Sequence, residues 1–133
     1  MMHVVVAAVL HQDDQVLLCH RSPVREWFPD VWDFPGGHLE AGETHSAALA
    51  RELDEELGIV PLHVDATPLI VRTGDDLDLS VYRCTRWRGK IRNRQRHEHD
   101  RIGWFNDREL DGLDFADPAY RPALGRLLRC RPD

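Results

Sequence analysis

The sequence is poor in cysteine and has no long apolar run. Its three cysteines, Cys19, Cys84 and Cys130, form no Cys-x-x-Cys pair, which argues against a disulfide framework and a cysteine-based zinc site. The apolar segment at residues 1–10 is too short to span a membrane and lacks the features of a cleaved signal. These absences predict a soluble, cytoplasmic protein with reduced thiols and no membrane association.

A basic surplus is also absent. The chain has 23 acidic and 17 basic residues and a formal net charge of −6, which argues against a protein that binds nucleic acid by charge alone. The average hides an asymmetry, because acidic residues concentrate at 40–56 and 75–78 and basic residues at 83–96. This polarity suits a site that uses carboxylates for cations and cations for phosphates.

Length and composition are those of one globular domain. The 133 residues are 42% hydrophobic and 30% charged, and no repeat or linker interrupts them, so we expect a single domain over residues 1–133. The apolar patterns predict strands at 3–10 and 16–20 (a hairpin), 31–34, 64–72, 77–85 and 101–105, and helical segments at 44–57, 107–110 and 118–129. Strands on both sides of an early helix indicate a mixed α/β domain.

The helix at residues 44–57 has recognisable ends. Thr44 is expected to cap its start, Gly58 to end it, and Pro61 to prevent its continuation. One apolar face, made by leucines every fourth residue, can pack on a sheet; its members are Leu49, Leu53 and Leu57.

Three glutamates share another face of this helix. Glu52, Glu55 and Glu56 stand at i, i+3 and i+4, so their carboxylates are close and repel one another. A divalent cation would relieve that repulsion, and oxygen ligands alone suit Mg²⁺ or Mn²⁺. Arg51 precedes Glu55 by four residues and is placed to pair with it. A solvated glutamate face is the alternative.

A glycine-rich segment at residues 36–43 precedes the helix. Its three glycines, Gly36, Gly37 and Gly42, allow backbone to approach a ligand closely, and their N–H groups can face phosphate oxygens. A plain turn is the alternative for the glycines taken alone.

Helix and loop together resemble the Nudix box. The matching positions, which span residues 37–59, are Gly37, five residues, Glu43, seven residues, Arg51-Glu52-Leu53, one residue, Glu55-Glu56, one residue, and Gly58-Ile59. Every defined position fits. The approach to the box, residues 32–37, is similar to that of MutT-like members, and length and strand order fit over nearly the whole chain.

The resemblance implies a Nudix α/β/α sandwich with a mixed β-sheet and a Mg²⁺-dependent enzyme, with Mn²⁺ as the other candidate metal. MutT-like members hydrolyse nucleoside triphosphates to monophosphate and pyrophosphate, a housecleaning reaction. By position in the motif, the metal ligands would be Glu52, Glu55 and Glu56. Glu43 would support the metal shell, Arg51 would orient the glutamates, and the Gly37 backbone would lie near metal or phosphate.

Other site residues are carried over from outside the box. Glu98 precedes the strand at 101–105, where MutT-like proteins often place a further glutamate, and it is our candidate general base, with Glu55 and Glu52 as rivals. Arg21, with Arg25 less favoured, and His38 are expected at the phosphates. Asp117 is expected to contact the nucleobase of the substrate. Residues 115–122 contain no asparagine, the residue some relatives use to read oxidised guanine, which argues against that specificity.

Two further groups of residues are ambiguous. Six cations alternate along residues 86–96 and would share one face of a strand; a solvated hairpin arm or a dimer contact is favoured over a polyphosphate or RNA contact. Four aromatics are candidates either for base stacking or for the core: Trp27, Phe28, Trp32 and Phe34.

Rival functions remain at this point. Within the enzyme class, the substrate is a nucleoside triphosphate first and a dinucleoside polyphosphate, nucleotide sugar or capped RNA end second. A nucleotide- or RNA-binding Nudix module without catalysis is the alternative of another class, although such modules usually lack one of the glutamates. A homodimer stays open.

Overall fold

A computed structural model describes residues 2–130. Eight strands, two α-helices and one short 3₁₀ helix follow one another along this part of the chain. In order they are β1 His3–Gln12, β2 Gln15–Arg21, β3 Trp32–Asp33, β4 Gly36–His38, α1 His45–Leu57, β5 Val60–Val64, β6 Ile70–Thr73, β7 Leu77–Arg88, β8 His99–Phe105, the 3₁₀ helix Glu109–Gly112 and α2 Tyr120–Arg129.

The sheet is mixed and centres on β1. The main strand order is β3-β2-β1-β7-β5, with β4 paired to β1, β6 to β7 and β8 to β2. The pairing of β1 with β7 is parallel, from His3 opposite Leu77 to Leu10 opposite Cys84, and the other pairings are antiparallel. The predicted hairpin of the first two strands is confirmed, because His11 and Gln12 pair with the start of β2.

Each face of the sheet is covered by one helix. Successive residues of β1 point to opposite faces, so Val6, Ala8 and Leu10 pack with the leucines of α1, while Ala7 and Val9 pack with residues of α2. The two clusters make two apolar layers around one sheet. The predicted α/β/α sandwich with a mixed sheet is therefore confirmed.

Helix α1 begins and ends where the sequence predicts. The Thr44 side chain accepts a hydrogen bond from the Ala47 N–H at 3.1 Å, and Gly58 adopts a left-handed conformation with φ 72°, which glycine tolerates without strain. The 3₁₀ helix and α2 also fall within a few residues of their predicted positions.

The predicted strand at residues 64–72 is wrong. Two strands, β5 and β6, lie end to end along the outer side of β7, joined by residues 65–69. Pro61 lies inside β5 rather than merely stopping the helix, which an edge strand tolerates because its outward N–H positions need no partner. Short strand β4 was expected to be part of a turn.

The six alternating cations do not share one face of a strand, because β7 ends at Arg88 and Gly89 turns the chain with φ 105°. The next residues instead cross the end of α1, where the Arg92 and Arg94 backbone N–H groups donate to the Leu57 and Glu56 carbonyls. The segment thus satisfies carbonyls that a helix end leaves unpaired. Within residues 2–130, every helix is too short or too polar to cross a membrane.

Candidate active site

The site is built around two neighbouring carboxyl groups on α1, of which Glu56 is buried and Glu52 is partly buried. Glu56 is only 3% exposed, and its Oε2 accepts a hydrogen bond from the Gly36 N–H at 2.9 Å. Burial raises the pKa of Glu56 strongly, and the facing carboxylates of Glu52 and Glu98 raise it further. A buried carboxyl group surrounded by other carboxylates is poised to bind a cation.

The two glycines of β4 allow this arrangement. A Cβ on Gly36 would lie 2.1 Å from the Val6 carbonyl oxygen, and a Cβ on Gly37 would lie 2.5 Å from Oε1 of Glu52. Any larger residue would therefore push β4 away from β1 or push the Glu52 carboxylate out of position. The Glu52 carboxylate lies close to the Gly37 backbone, and the approach of this backbone to metal or phosphate stays a prediction.

Arg51 is the hub of the exposed side of the cluster. Its Nε and Nη2 donate to both oxygens of Glu43 at 2.8 and 3.0 Å, and its Nη1 donates to Glu52 at 3.0 Å and Glu55 at 3.4 Å. The guanidinium, through these hydrogen bonds, lowers the pKa of Glu43 to about 2. Arg51 therefore joins the glycine loop to the glutamate face, as its position in the motif suggests.

The carboxylates do not form a finished metal cage. Among residues 2–130, no three His, Cys, Asp or Glu side chains stand together in a metal-binding arrangement. Glu52 and Glu56 converge, whereas Glu55 is about half exposed and turned toward Arg51. The oxygen donors and the repulsion that raises the pKa of Glu56 nevertheless fit a hard divalent cation. The metal role of the three glutamates stays a prediction.

Glu98, the candidate base, lies in the turn before β8 and is partly buried. Its charge raises the pKa values of both Glu56 and Arg21, so its carboxylate lies near these two side chains. The fold thus brings Glu98 close to α1, although more than forty positions separate Glu98 from Glu56 in the sequence. Its catalytic role is untested by this geometry.

His99 is a site residue that the sequence did not reveal. Its ring is buried, its Nδ1 has no hydrogen-bond partner, and that atom lies 3.6 Å from Oε1 of Glu56. Burial lowers the pKa of His99 to about 4, helped by the positive charges of Arg25 and Arg21, so the ring is neutral at pH 7. The only sequence signal is the His97-Glu98-His99 triplet, which has no diagnostic metal-ligand spacing.

Arg21, expected at the phosphates, is partly buried at the end of β2. Its guanidinium donates to the backbone carbonyls of Trp27 and Phe28 and lies 3.9 Å from Asp33. Arg21 therefore organises the loop after β2, and its contact with phosphate stays a prediction. His38, at the end of β4, is exposed, and its carbonyl accepts a hydrogen bond from Arg51.

A second polar group lies at the start of α2. Asp117 accepts hydrogen bonds from Arg72 Nε at 2.9 Å and from the Ala119 N–H at 2.8 Å. Tyr120 is buried, and its pKa is raised by burial and by the charges of Asp33 and Asp117. Asp33 was not singled out from the sequence, because its partners come from distant segments.

The aromatic residues divide between core and surface. Trp32 and Phe34 are buried in the cluster beneath α2, whereas Trp27 and Phe28 are 70% and 61% exposed on the loop that Arg21 holds. A cavity of about 450 Å³ lies elsewhere, between the first half of α1 and strands β5 and β7. None of the cluster glutamates lines it.

Comparison with known proteins agrees with this geometry. The family model described as NUDIX domain matches residues 1–127, and the chain belongs to this family. It is 36% identical over 132 residues, 95% of this chain and 88% of the relative, to a Mycobacterium tuberculosis protein named as a candidate 8-oxo-dGTP diphosphatase. It is 34% identical over 130 residues, 96% of this chain and 92% of the relative, to the CTP pyrophosphohydrolase of Escherichia coli.

Solved structures show the same fold. A MutT NUDIX hydrolase from Burkholderia pseudomallei superposes with a TM-score of 0.79 at 28% identity, covering 93% of this chain and 96% of that one. A MutT structure from a study of Aliivibrio salmonicida and Vibrio cholerae proteins superposes with a TM-score of 0.81 at 24% identity, covering 96% and 98%. The chain is a MutT-like Nudix hydrolase.

Proposed function

We propose that this protein is a Mg²⁺-dependent nucleoside triphosphate pyrophosphohydrolase that releases a nucleoside monophosphate and pyrophosphate. The observation that carries the proposal is the pair of facing carboxyl groups of Glu52 and Glu56, of which Glu56 is buried, packed against the Gly36–Gly37 backbone beside Arg51. Burying the Glu56 carboxyl group beside a second carboxylate is costly without a counter-charge. A metal-bound polyphosphate would explain why they stand there.

In this proposal Glu52, Glu55 and Glu56 hold the metal. Glu55 would leave Arg51, to which its contact of 3.4 Å is the longest of the hydrogen bonds that Arg51 makes to carboxylates. A bound Mg²⁺ supplies neutralisation of the phosphate charge and acidifies a water molecule. Mn²⁺ has similar ligand preferences and is expected to substitute for it.

Glu98 is the general base of the proposed reaction. Its charge raises the pKa of Glu56, so its carboxylate lies near the glutamate cluster, and a water between them can lose its proton to Glu98 as its oxygen attacks phosphorus. The new P–O bond forms as the bridging P–O bond breaks, and pyrophosphate leaves. Arg21 and His38, both basic residues beside the cluster, would bind the phosphates.

The polar group at the start of α2 is proposed to bind the nucleobase of the substrate. Asp33 and Asp117 both offer carboxylate oxygens near Tyr120, and each oxygen of Asp117 that accepts from Arg72 or Ala119 keeps a free lone pair. Acceptors of this kind suit a base edge that carries an amino group, of which cytosine is the first to test. The name of the Escherichia coli relative specifies CTP as its substrate.

A substrate screen tests the proposal. Pyrophosphate release would be measured from CTP, dCTP, GTP and 8-oxo-dGTP with Mg²⁺ and with Mn²⁺, alongside a dinucleoside polyphosphate and a nucleotide sugar. We expect a triphosphate to be the best substrate and pyrophosphate to be the second product. Nucleotide binding without any hydrolysis would favour a non-catalytic module, and preference for a nucleotide sugar would overturn the substrate class.

Location and assembly complete the proposal. A nucleotide-cleansing enzyme works where the nucleotide pool is, so we propose a cytoplasmic protein whose single domain covers residues 1–133. The partner is the nucleotide itself. We do not propose RNA binding, because the formal net charge of the chain is −6, and a homodimer stays a prediction.

A further inference from the structure

We propose that His99 is a positioning residue for the metal site, whose Nδ1–H fixes the second oxygen of the Glu56 carboxylate. The inference rests on the proposed function, since it assumes that Glu56 binds the cation. Nothing in the sequence motif points to this histidine. Its assignment comes from burial and from two distances.

The first observation is an unused polar atom. His99 is 3% exposed, and its Nδ1 is one of two buried side-chain polar atoms without a hydrogen-bond partner among the described residues. Such orphaned atoms are rare in proteins because each loses its hydrogen bonds to water and gains none in return. A buried nitrogen kept without a partner therefore indicates one that is engaged when the site works.

The second observation is the direction in which that atom points. Nδ1 of His99 lies 3.6 Å from Oε1 of Glu56, just beyond hydrogen-bond distance, while Oε2 of the same carboxyl group accepts from the Gly36 N–H at 2.9 Å. Oε2 of Glu56 thus has a donor on β4, while Oε1 faces the His99 ring on β8 without a hydrogen bond. In the proposed arrangement, a small rotation of the carboxylate or of the ring brings Nδ1–H within hydrogen-bond distance of Oε1.

The histidine is well placed to act as a fixed donor. Its backbone N–H donates to the Gln95 carbonyl at 2.8 Å, and its own carbonyl accepts from Asn93 Nδ2 at 2.7 Å. Arg94 N, in the same segment, donates to the Glu56 carbonyl at 2.8 Å. Residues 93–99 therefore hold Glu56 by its backbone and face its carboxylate, which couples ligand orientation to this segment.

Ligand orientation by such donors commonly changes metal affinity by about 10–100-fold. The decisive comparison uses three substitutions of His99. Asn places an amide N–H near the Nδ1 position, Gln places it near Nε2, and Leu removes it. We expect His99→Leu and His99→Gln to weaken Mn²⁺ binding by about tenfold, and His99→Asn to stay within about threefold of the wild type.

The experiment titrates the full chain with Mn²⁺ alone, by calorimetry and by electron paramagnetic resonance, and measures thermal unfolding of each variant. His20→Leu is the matched control, because His20 is a second buried histidine whose Nδ1 bonds Asp100 at 2.7 Å instead of facing a glutamate. Its Mn²⁺ affinity should equal that of the wild type. If His99→Leu does not fold, the Asn and Gln variants decide.

Three results would overturn the inference: unchanged Mn²⁺ affinity in His99→Leu or His99→Gln, an equal loss in His99→Asn and His99→Gln, or an equal loss in His20→Leu. A wild-type protein that binds no Mn²⁺ would overturn the metal assignment, and the role of His99 with it. Wild-type binding with no effect of His99 substitution would overturn the positioning role alone.

Discussion

Two polar groups of this molecule, the glutamate cluster on α1 and the group at the start of α2, are built in opposite ways. The glutamate cluster on α1 uses residues from one continuous stretch, 36–56, with Glu98 and His99 added from β8 and the turn before it. The polar group at the start of α2 takes Asp33, Arg72 and Asp117 from three separate segments. The first is encoded by spacing along the chain, and the second exists only after folding.

Their charge balance also differs. Arg51 has four carboxylates within 4 Å, those of Glu40, Glu43, Glu52 and Glu55, so the cluster keeps a negative surplus. In the polar group at the start of α2, Asp117 is paired with Arg72 at 2.9 Å. Nearby, Asp111 is paired with Arg121 at 2.7 Å. A surplus of carboxylates favours a cation, whereas paired charges suit the recognition of an uncharged base.

Substitution of Glu56 should produce the largest loss of activity and tests whether the glutamate cluster carries the chemistry. Gln keeps the shape of the carboxyl group and can still accept from Gly36, so Glu56→Gln should fold normally. Loss of the charge should lower kcat on the order of 10²–10³-fold, as expected for one preorganised electrostatic contact. Pyrophosphate release measures the effect. Asp54→Asn, an exposed carboxylate on the same helix, should be nearly neutral.

Substitution of Gly37 tests whether close packing against β4 holds the glutamate cluster in position. In Gly37→Ala the new Cβ would meet the Glu52 carboxylate at 2.5 Å, so we expect about tenfold or greater loss of Mn²⁺ affinity. The loss of stability should stay below about 1 kcal/mol, because this carboxylate ends a flexible side chain that can move aside. Gly112→Ala is the control, since a Cβ there meets nothing within 4 Å. Titration with Mn²⁺ and urea unfolding give both values, and equal behaviour of the two variants would contradict the packing argument.

Substitution of Asp117 tests the polar group at the start of α2 separately. Asn at this position offers a donor as well as an acceptor, so Asp117→Asn should change the ratio of kcat/KM between CTP and 8-oxo-dGTP by about tenfold while Mn²⁺ affinity stays unchanged. Asp111→Asn, on the neighbouring 3₁₀ helix, is the matched control. A change in Mn²⁺ affinity in Asp117→Asn would show that the glutamate cluster and the polar group at the start of α2 are not independent.

The smallest expected effect is the pH dependence of the Arg51 hub. The pKa of Glu43 in the folded protein is about 2, below its ordinary value of 4.5. Its stabilising contribution is therefore complete above pH 4.5 and is lost as the pH falls toward 2. Urea unfolding should show Glu43→Gln less stable than the wild type at pH 7, with the difference shrinking toward pH 2. Glu40→Gln, a more exposed and distant partner of Arg51, should show a smaller difference, and a difference for Glu43→Gln that persists at low pH would refute the assignment.

The fold was predictable where the pattern is local and failed where it depends on neighbours. Thr44 and Gly58 mark the ends of α1 because capping is a property of adjacent residues. The division into β5 and β6 was missed because an apolar run from residue 64 to 72 does not reveal that both strands border β7. The path of the cations beyond Arg88 was left open because alternation alone does not show that Gly89 redirects the chain.

The sequence by itself determined the family, the glutamate face of α1 and the glycines that precede it, because helical periodicity converts spacing into a shared face. Only the tertiary structure decided that the Glu56 carboxyl group is buried against Gly36, that His99 faces Glu56, and that Asp33 and Asp117 meet at Tyr120. These contacts join residues far apart in the chain, and their positions follow from strand pairing and helix packing, which no local pattern specifies.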